Sequence, residues 1–173
     1  MGKGLPYSHK RGPHVEQGIT KLRIEVDDVV VVSATAAAIG WGTGVLQGLP
    51  EGNLMFLGAI ANVNFAGSGA DANLVDTWSG DFGVGTTPAD DATITAADVD
   101  LIPSTAIGAA TAEVIATVRA ESTANGVFFN NTDGSLEVNF NLLIDAADIT
   151  DDESVNITVK GVVTLSMVVI EDD

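Results

Sequence analysis

The chain contains no cysteine and few basic residues, histidines or aromatic residues. Without cysteine, a disulfide framework and a thiolate metal site are both excluded. Both histidines, His9 and His14, lie within the first 18 residues, so a Ser–His–Asp triad would find no histidine in the rest of the chain. The longest apolar stretch, residues 29–39, contains a serine and a threonine and is shorter than the roughly 18–20 residues of a membrane-spanning helix. These absences predict that the chain is not an enzyme of the triad class and does not span a membrane.

Charge is distributed unevenly along the 173 residues. Residues 1–23 carry five lysines and arginines against one acid, a formal charge of +4. The remaining residues carry two cations against 23 acids, a formal charge of −21. A body this acidic repels nucleic-acid phosphates, so we expect no nucleic-acid partner. The first residues are polar and have no hydrophobic signal core, so we expect a soluble product that is not secreted.

The abundant residue types are those of strands and turns. Val, Ile, Thr, Gly, Asn and Asp dominate, and the length and 46% apolar content suit one domain with its own core. Turn signals recur about every ten residues, as is typical of antiparallel sandwiches and jelly rolls. We therefore predict an all-β fold. It consists of an antiparallel β-sandwich or jelly-roll-like domain over residues 19–173, preceded by an extended N-terminal arm over residues 1–18.

The clearest strands lie in the C-terminal third, at residues 136–144 and 155–169. Apolar and polar residues alternate in both with a period of two, which is the pattern of a strand with one buried face and one wet face. The predicted core positions of the first strand are Leu136, Val138, Phe140, Leu142 and Ile144, and its predicted solvent-facing positions are Glu137, Asn139 and Asn141. Between the strands, residues 145–154 contain five acids and are expected on the surface.

Further strands are predicted upstream. Residues 54–65, 77–86 and 113–120 have strand patterns, with the first of them expected in the core. Residues 29–32 are continuously apolar, which predicts a strand buried on both faces. The acid pair Asp27-Asp28 before them is expected to form a turn or a bulge.

The remaining segments are less regular. Within residues 34–48, Ala36, Ala37 and Ala38 favour a helix start, but the glycines of Gly-Trp-Gly-Thr-Gly (residues 40–44) end it. That motif lacks the Lys-Ser/Thr of a phosphate-binding loop. Residues 102–112 are predicted to be irregular. Asn125-Gly126 predicts a two-residue turn, and residues 130–134 predict a second turn before the closing strands.

The arm, MGKGLPYSHKRGPHVEQG, contains four glycines and two prolines and shows no periodicity. This composition predicts an extended segment that is disordered when free and orders on a neighbouring molecule. Fully stretched, it would reach roughly 60 Å at about 3.3–3.6 Å per residue. The predicted partner-binding residues are Lys3, Leu5, Tyr7, His9, Lys10, Arg11 and His14. The alternative is an unstructured terminus without a partner.

Acidic pairs are the remaining candidates for chemistry. They are Asp90-Asp91, Asp98 with Asp100, Asp145 with Asp148, and residues 151–153. Glycoside hydrolysis uses two carboxylates, but its sites also need aromatic side chains that bind the sugar. Most of the phenylalanines here occupy positions that are predicted to face the core. Residues 130–133 and 148–153 offer oxygen ligands for a calcium ion, but neither has EF-hand spacing. We expect solvated loop acids, with no catalytic residue, no defined metal ligand set and no cofactor.

Two segments resemble virion proteins of tailed bacteriophages. The first is residues 79–110, SGDFGVGTTPADDATITAADVDLIPSTAIGAA, with a Gly-Val-Gly-Thr-Thr core, an Asp/Thr/Ala stretch and an Ile-Pro-Ser-Thr-Ala segment. The second is residues 142–150, LLIDAADIT, followed by a long Val/Thr strand. Together with that strand they cover roughly half of the chain.

The resemblance is to capsid decoration, or cement, proteins, whose β-sandwich or jelly-roll bodies sit on the outer capsid surface, commonly as trimers. It implies a non-enzymatic virion protein that forms a homotrimer, binds the major capsid protein and extends residues 2–18 across neighbouring subunits. Two alternatives stay open: another head or tail structural component, and a surface adhesin or glycan- or protein-binding module. A glycan binder would expose Trp41 and Trp78 together.

Overall fold

The computed structural model describes residues 18–67, 73–75, 77–108, 110–111 and 116–170. The strands are β1 (Thr20–Val32), β2 (Gly40–Gly48), β3 (Gly52–Gly67), β4 (Thr77–Trp78), β5 (Gly80–Gly85), β6 (Ile102–Ala106), β7 (Ala110–Thr111), β8 (Ala116–Glu121), β9 (Val127–Asn131), β10 (Glu137–Ile144) and β11 (Val155–Ile170). Two short 3₁₀ turns, Ala96–Asp98 and Ala146–Asp148, accompany them, and the described residues contain no α-helix. The predicted all-β class is confirmed.

The strands form two antiparallel sheets. The front sheet has the order β1-β11-β3-β8, with β9 pairing farther along β3, and the back sheet has the order β2-β10-β5-β6. The short strands β4 and β7 pair with each other. With β8 and β9 counted as one edge strand and the β4–β7 pair set aside, the eight main strands run 1-8-3-6 in one sheet and 2-7-4-5 in the other. This is the strand order of a jelly roll, whose Greek-key connections alternate between two sheets.

The core lies between the two sheets. It is built from the inward-facing residues, which alternate with outward-facing residues along each strand. Phe65 of the front sheet meets Phe82 and Phe140 of the back sheet, with ring centroids 5.2 and 5.9 Å from its own. Phe82 and Phe140 stack at 5.3 Å. The inward positions predicted for β10 are confirmed, since all of them are buried except the half-buried Leu136.

The outward positions predicted for β10 are wrong at two asparagines. Asn139 and Asn141 are as buried as the core, and at Asn141 residues 86–101 fold back over the outer face of the back sheet. The Asn141 amide group donates to the carbonyls of Thr87 and Asp98, at 2.9 and 2.8 Å, and its carbonyl accepts from the backbone N–H of Ala89 at 2.8 Å. A polar residue facing outward on a strand therefore binds backbone groups here in the place of water.

The predictions for β1 are also corrected. Its register with β11 runs from Thr20 to Val32 without a break, so Asp27-Asp28 forms neither a turn nor a bulge. The strand is not buried on both faces, since Val31 is 55% exposed while Val30 and Val32 are buried. The outward side chain of Val31 is therefore open to solvent.

Two segments for which no strand was predicted contain strands. Residues 40–44, whose three glycines were expected to end any helix, form the first half of β2 and pair with β10. Residues 102–106 form β6 and pair with β5. In both cases a partner strand supplies the hydrogen bonds that local sequence preference does not reveal.

Asn125-Gly126 does not reverse the chain, contrary to the prediction. Both β8 and β9 pair antiparallel with β3, with Glu121 opposite Ile60 and Val127 opposite Phe56. The chain therefore continues in one direction, and the segment between β8 and β9 has two more residues than the part of β3 opposite it. The second predicted turn, residues 130–134, is present between β9 and β10 and is closed by a 2.9 Å bond from the Gly134 N–H to the Asn131 carbonyl. That turn carries the chain from the front sheet to the back sheet.

Candidate docking surface

The residues that the sequence predicts to bind a partner all lie in the arm, outside the described residues. They are Lys3, Leu5, Tyr7, His9, Lys10, Arg11 and His14. The described chain begins at Gly18, and Ile19 leads directly into β1 at the edge of the front sheet. The arm is therefore attached to the first strand of that sheet, and its binding role stays a prediction.

The acidic pairs tie loops to strand ends. Asp100 accepts hydrogen bonds from the backbone N–H and the hydroxyl of Thr86, at 2.9 and 2.7 Å. Asp145 accepts from the hydroxyl of Ser79 at 2.7 Å, and Asp148 accepts from its backbone N–H at 2.8 Å. Burial raises the pKa of the Asp100 carboxyl, and the bonds from Thr86 offset part of that rise. These contacts give the carboxylates a structural role in the folded chain.

The turn acids are engaged by their own loops. Asp91 and Asp133 accept hydrogen bonds from the hydroxyls and backbone N–H groups of Thr93 and Ser135, and these bonds lower the pKa of both carboxyls. Within the described ranges, no group of three histidines, cysteines or acids has a geometry that could hold a metal ion. A calcium site at residues 130–133 or 148–153 gains no support from this arrangement.

The two tryptophans do not form an exposed pair. Trp78 is 1% exposed and belongs to the core, while Trp41 is half-buried on β2. The surface expected of a glycan binder is therefore not present at these positions. No helix in the part of the chain that the structure describes is long and apolar enough to cross a membrane.

The outer face of the front sheet, which points away from the back sheet, carries three ion pairs. Arg23 pairs with Glu25 on β1, Arg119 pairs with Glu121 on β8, and Lys160 pairs with Asp27 across β11 and β1 at 3.0 Å. The charged side chains of these pairs are all more than half exposed, so the pairs contribute little stability. They make this part of the face a hydrated surface of mixed charge.

One end of the same face is apolar, and we call it the apolar row. On the outer side, Val168 of β11 pairs with Met55 of β3, and Met55 pairs with Phe128 of β9. Thr20 pairs with Met167, so continuing that register by one residue places Ile19 beside Val168. The apolar row is therefore Ile19, Val168, Met55 and Phe128, in order across the sheet.

Exposure sets the apolar row apart from the core. Ile19 is 61% exposed and Phe128 is 66% exposed, at the two ends of the row. Val168, in the middle, is buried but does not belong to the cluster between the sheets. Its two exposed ends are separated by the buried Val168 and the half-buried Met55, so the apolar row is a candidate docking surface but not a continuous exposed patch.

The sequence carries a signal for this row. Consecutive apolar residues interrupt the alternation at Leu-Met-Phe-Leu (54–57), Val-Phe-Phe (127–129) and Met-Val-Val-Ile (167–170). A strand with adjacent apolar residues must place some of them on its outer face. The register brings the three runs together at one end of the front sheet, which cannot be known before the strand order is known.

Comparisons with solved structures find viral chains of low overall similarity. No family model and no curated protein matches the sequence. A chain of the cyanophage Pam1 capsid asymmetric unit aligns with a TM-score of 0.40 and 15% identity, over 96% of this chain and 99% of that chain. A chain of Desmodium yellow mottle tymovirus aligns with a TM-score of 0.31 and 10% identity, over 94% of this chain and 96% of that chain. Sequence identity and TM-score are both low, so neither similarity carries a functional argument.

Proposed function

We propose that this chain is a structural protein of a bacteriophage head, which binds the outer capsid surface and stabilises it as a trimeric cement protein. In this proposal the arm, residues 1–18, reaches neighbouring subunits and contacts the major capsid protein. The chain has no catalytic role. Its contribution is the binding free energy of several weak contacts made at once.

The observation that carries the proposal is the structural part played by residues 79–110, the segment that resembles decoration proteins. It forms β5, β6 and the residues that cover the outer face of the back sheet. A Cβ atom at Gly83 would overlap Val99, and one at Gly85 would overlap the Ala97 carbonyl oxygen, so the Gly-Val-Gly core lets this cover lie flat on the strand. Val84 between them points into the core. The segment that resembles decoration proteins is thus a packing unit of a jelly roll, which is one of the folds of viral capsid proteins.

The charge distribution supports the same proposal. The body is strongly acidic, which keeps separate copies soluble by mutual repulsion before they dock. The arm is basic and joins the body at one strand, so a trimer would present three tethered binding segments. Linked weak contacts of this kind raise overall affinity by factors of about 10²–10⁴ over a single contact.

The test is a sedimentation assay with capsids of the phage that encodes the chain. Deleting residues 2–18 should leave the melting midpoint unchanged, because the first strand begins at Thr20, and should weaken capsid binding at least about tenfold. A matched charge comparison sharpens the result. Arg11→Glu should weaken binding, whereas Arg119→Glu, the same change at an exposed position on β8, should leave it unchanged.

An arm-deleted chain that sediments with capsids as well as the full chain would overturn the arm's role. Equal loss of binding in the arm variant and in Arg119→Glu would show that overall charge, rather than the arm, governs the contact. A full chain that binds no capsid at all would overturn the proposed function itself.

A further inference from the structure

One side of the sandwich is built from an uncharged stretch of the chain. Residues 29–50 contain no acid, no lysine or arginine and no histidine, and no other stretch without such residues is as long. They include the second half of β1 and all of β2. In a chain with a formal charge of −17, this stretch repels a like-charged molecule less than the acidic remainder does.

The strands β1 and β2 lie next to each other on this side. β1 is an edge strand of the front sheet, and β2 is an edge strand of the back sheet. Where they meet, Ser33 and Trp41 exchange two backbone hydrogen bonds, with N–O distances of 2.8 and 3.1 Å. Continuing that register by two residues places Val31 beside Thr43. The strands are still adjacent there, because a Cβ atom at Gly42 would overlap the Val31 carbonyl oxygen.

The side chains that face outward on this side are mostly apolar. Cβ atoms at Gly42 and Gly44 would meet the buried Val30, so the odd-numbered residues of β2 face away from the core. Val31, Val45 and Ile39 are 55%, 54% and 43% exposed, and Trp41 and Thr43 are half-buried. We call these five residues the neutral side: Val31, Ile39, Trp41, Thr43 and Val45.

Exposed acids border the neutral side. Asp28 lies beside Gly44, with a carboxylate oxygen 3.6 Å from the place that a Cβ atom would take there. Asp152 accepts a 2.7 Å hydrogen bond from the backbone N–H of Ala36, and Glu137 pairs with the end of β2. All three acids are exposed. An apolar centre with a polar, solvent-accessible border is the usual composition of a protein–protein interface.

A second copy of the chain is the partner that fits this arrangement. A basic partner would gain most from the acidic surfaces of the body and little from an uncharged one. Two copies are both strongly acidic, so they repel one another least where uncharged surfaces meet. Contact between two neutral sides also removes exposed apolar side chains from water.

We propose that the neutral side of each copy meets the neutral sides of the other copies, around the three-fold axis of the proposed trimer. The inference rests on the proposed function for the number of copies, and it names the surface through which they meet. The bordering acids of different copies then approach one another. Raised salt concentration screens these acids and therefore strengthens the contact.

An added charge on the neutral side tests this contact. Val45→Asp should weaken association of the copies at least about hundredfold, since carboxylates of different copies would face one another in an apolar contact. Val31→Asp, on the neighbouring strand, should do the same. The matched control is Phe128→Asp, which adds the same charge at an exposed position on the opposite edge of the front sheet and should leave association unchanged.

Light scattering of purified protein over a series of concentrations measures association, and melting midpoints show whether each variant is folded. Val45→Ser is a milder variant for use if aspartate prevents folding. It removes apolar surface without adding charge and should weaken association about fivefold.

The inference is overturned if either folded aspartate variant associates as the unmodified chain does, or if Phe128→Asp dissociates the copies as strongly. An unmodified chain that is monomeric at every protein and salt concentration would overturn it too. A dimer that both variants dissociate would support the contact and contradict the trimer of the proposed function. Capsid binding is judged separately, by sedimentation of the unmodified chain with capsids, whereas this test uses purified protein alone.

Discussion

At the scale of single residues, Phe140 is the centre of the aromatic core. It is 1% exposed and contacts Phe82 and Phe65 from the two sheets. Phe140→Ala should lower the free energy of unfolding by about 3–5 kcal/mol, because it removes buried surface and leaves a cavity between the sheets. Chemical denaturation measures this. The matched control is Phe128→Ala, at a 66% exposed position, which should change stability by less than about 1 kcal/mol. An unchanged denaturation midpoint for Phe140→Ala would contradict the core assignment.

Asp100 gives a pH-dependent prediction at the same scale. Burial raises the pKa of its carboxyl, so the folded state holds this proton to a higher pH than the unfolded state. The contribution of Asp100 to stability therefore falls as pH rises from about 4, the ordinary carboxyl pKa, through the raised value. Asp100→Asn removes this titration, so the stability of the variant relative to the unmodified chain should increase across that range. Urea denaturation at a series of pH values measures it.

Asp91 supplies the control with the opposite sign. Hydrogen bonds from Thr93 lower the pKa of its carboxyl, so its contribution is present above the ordinary carboxyl pKa and is lost as pH falls. Asp91→Asn should therefore be relatively less stable at neutral pH than at acid pH. Parallel pH profiles for the two variants would show that burial does not distinguish these acids.

At the scale of elements, β5 depends on glycine because another segment lies on it. A Cβ atom at Gly85 would overlap backbone atoms of Ala97 and Asp98, which belong to the cover of the back sheet. Gly85→Ala should cost about 1–3 kcal/mol, since strand or cover must move. Gly48→Ala is the matched control within β2, where an added Cβ would meet nothing within 4 Å, and it should change stability by less than about 0.5 kcal/mol. Urea midpoints of equal value for the two variants would refute this packing.

The interruption between β8 and β9 is the other element-scale feature. The two extra residues opposite β3 break the regular ladder at an edge of the front sheet. Interrupted edges are poor templates for pairing with the edge of another sheet. This arrangement disfavours association of two copies by backbone pairing at β9.

At the scale of the whole molecule, the proposed trimer predicts a mass. Light scattering on a sizing column should give a value near three times the 17.7 kDa of one chain. Because the copies repel one another through their acidic bodies, the trimer should also become more stable as salt concentration is raised. A clean monomer at every salt concentration would contradict a trimer that forms before docking.

The sequence by itself determined the fold class and the inward faces of the strands. Alternation with a period of two is a local property of the chain, so the inward placement of Val138, Phe140, Leu142 and Ile144 could be predicted without knowing any partner strand. The turn at residues 130–134 is likewise encoded in its own residues. The predicted binding residues of the arm lie outside the described residues and stay a prediction.

Only the tertiary structure decided what meets the outward faces. Asn141 has the pattern of a solvent-facing residue, yet it binds a segment about 50 positions away along the chain. Asn125-Gly126 has the chemistry of a reversing turn, yet the chain continues along β3. The apolar row likewise arises from three runs that are distant in sequence. Period and turn chemistry act over a few residues, whereas cover, strand pairing and surface patches depend on which distant segments the closed jelly roll brings together.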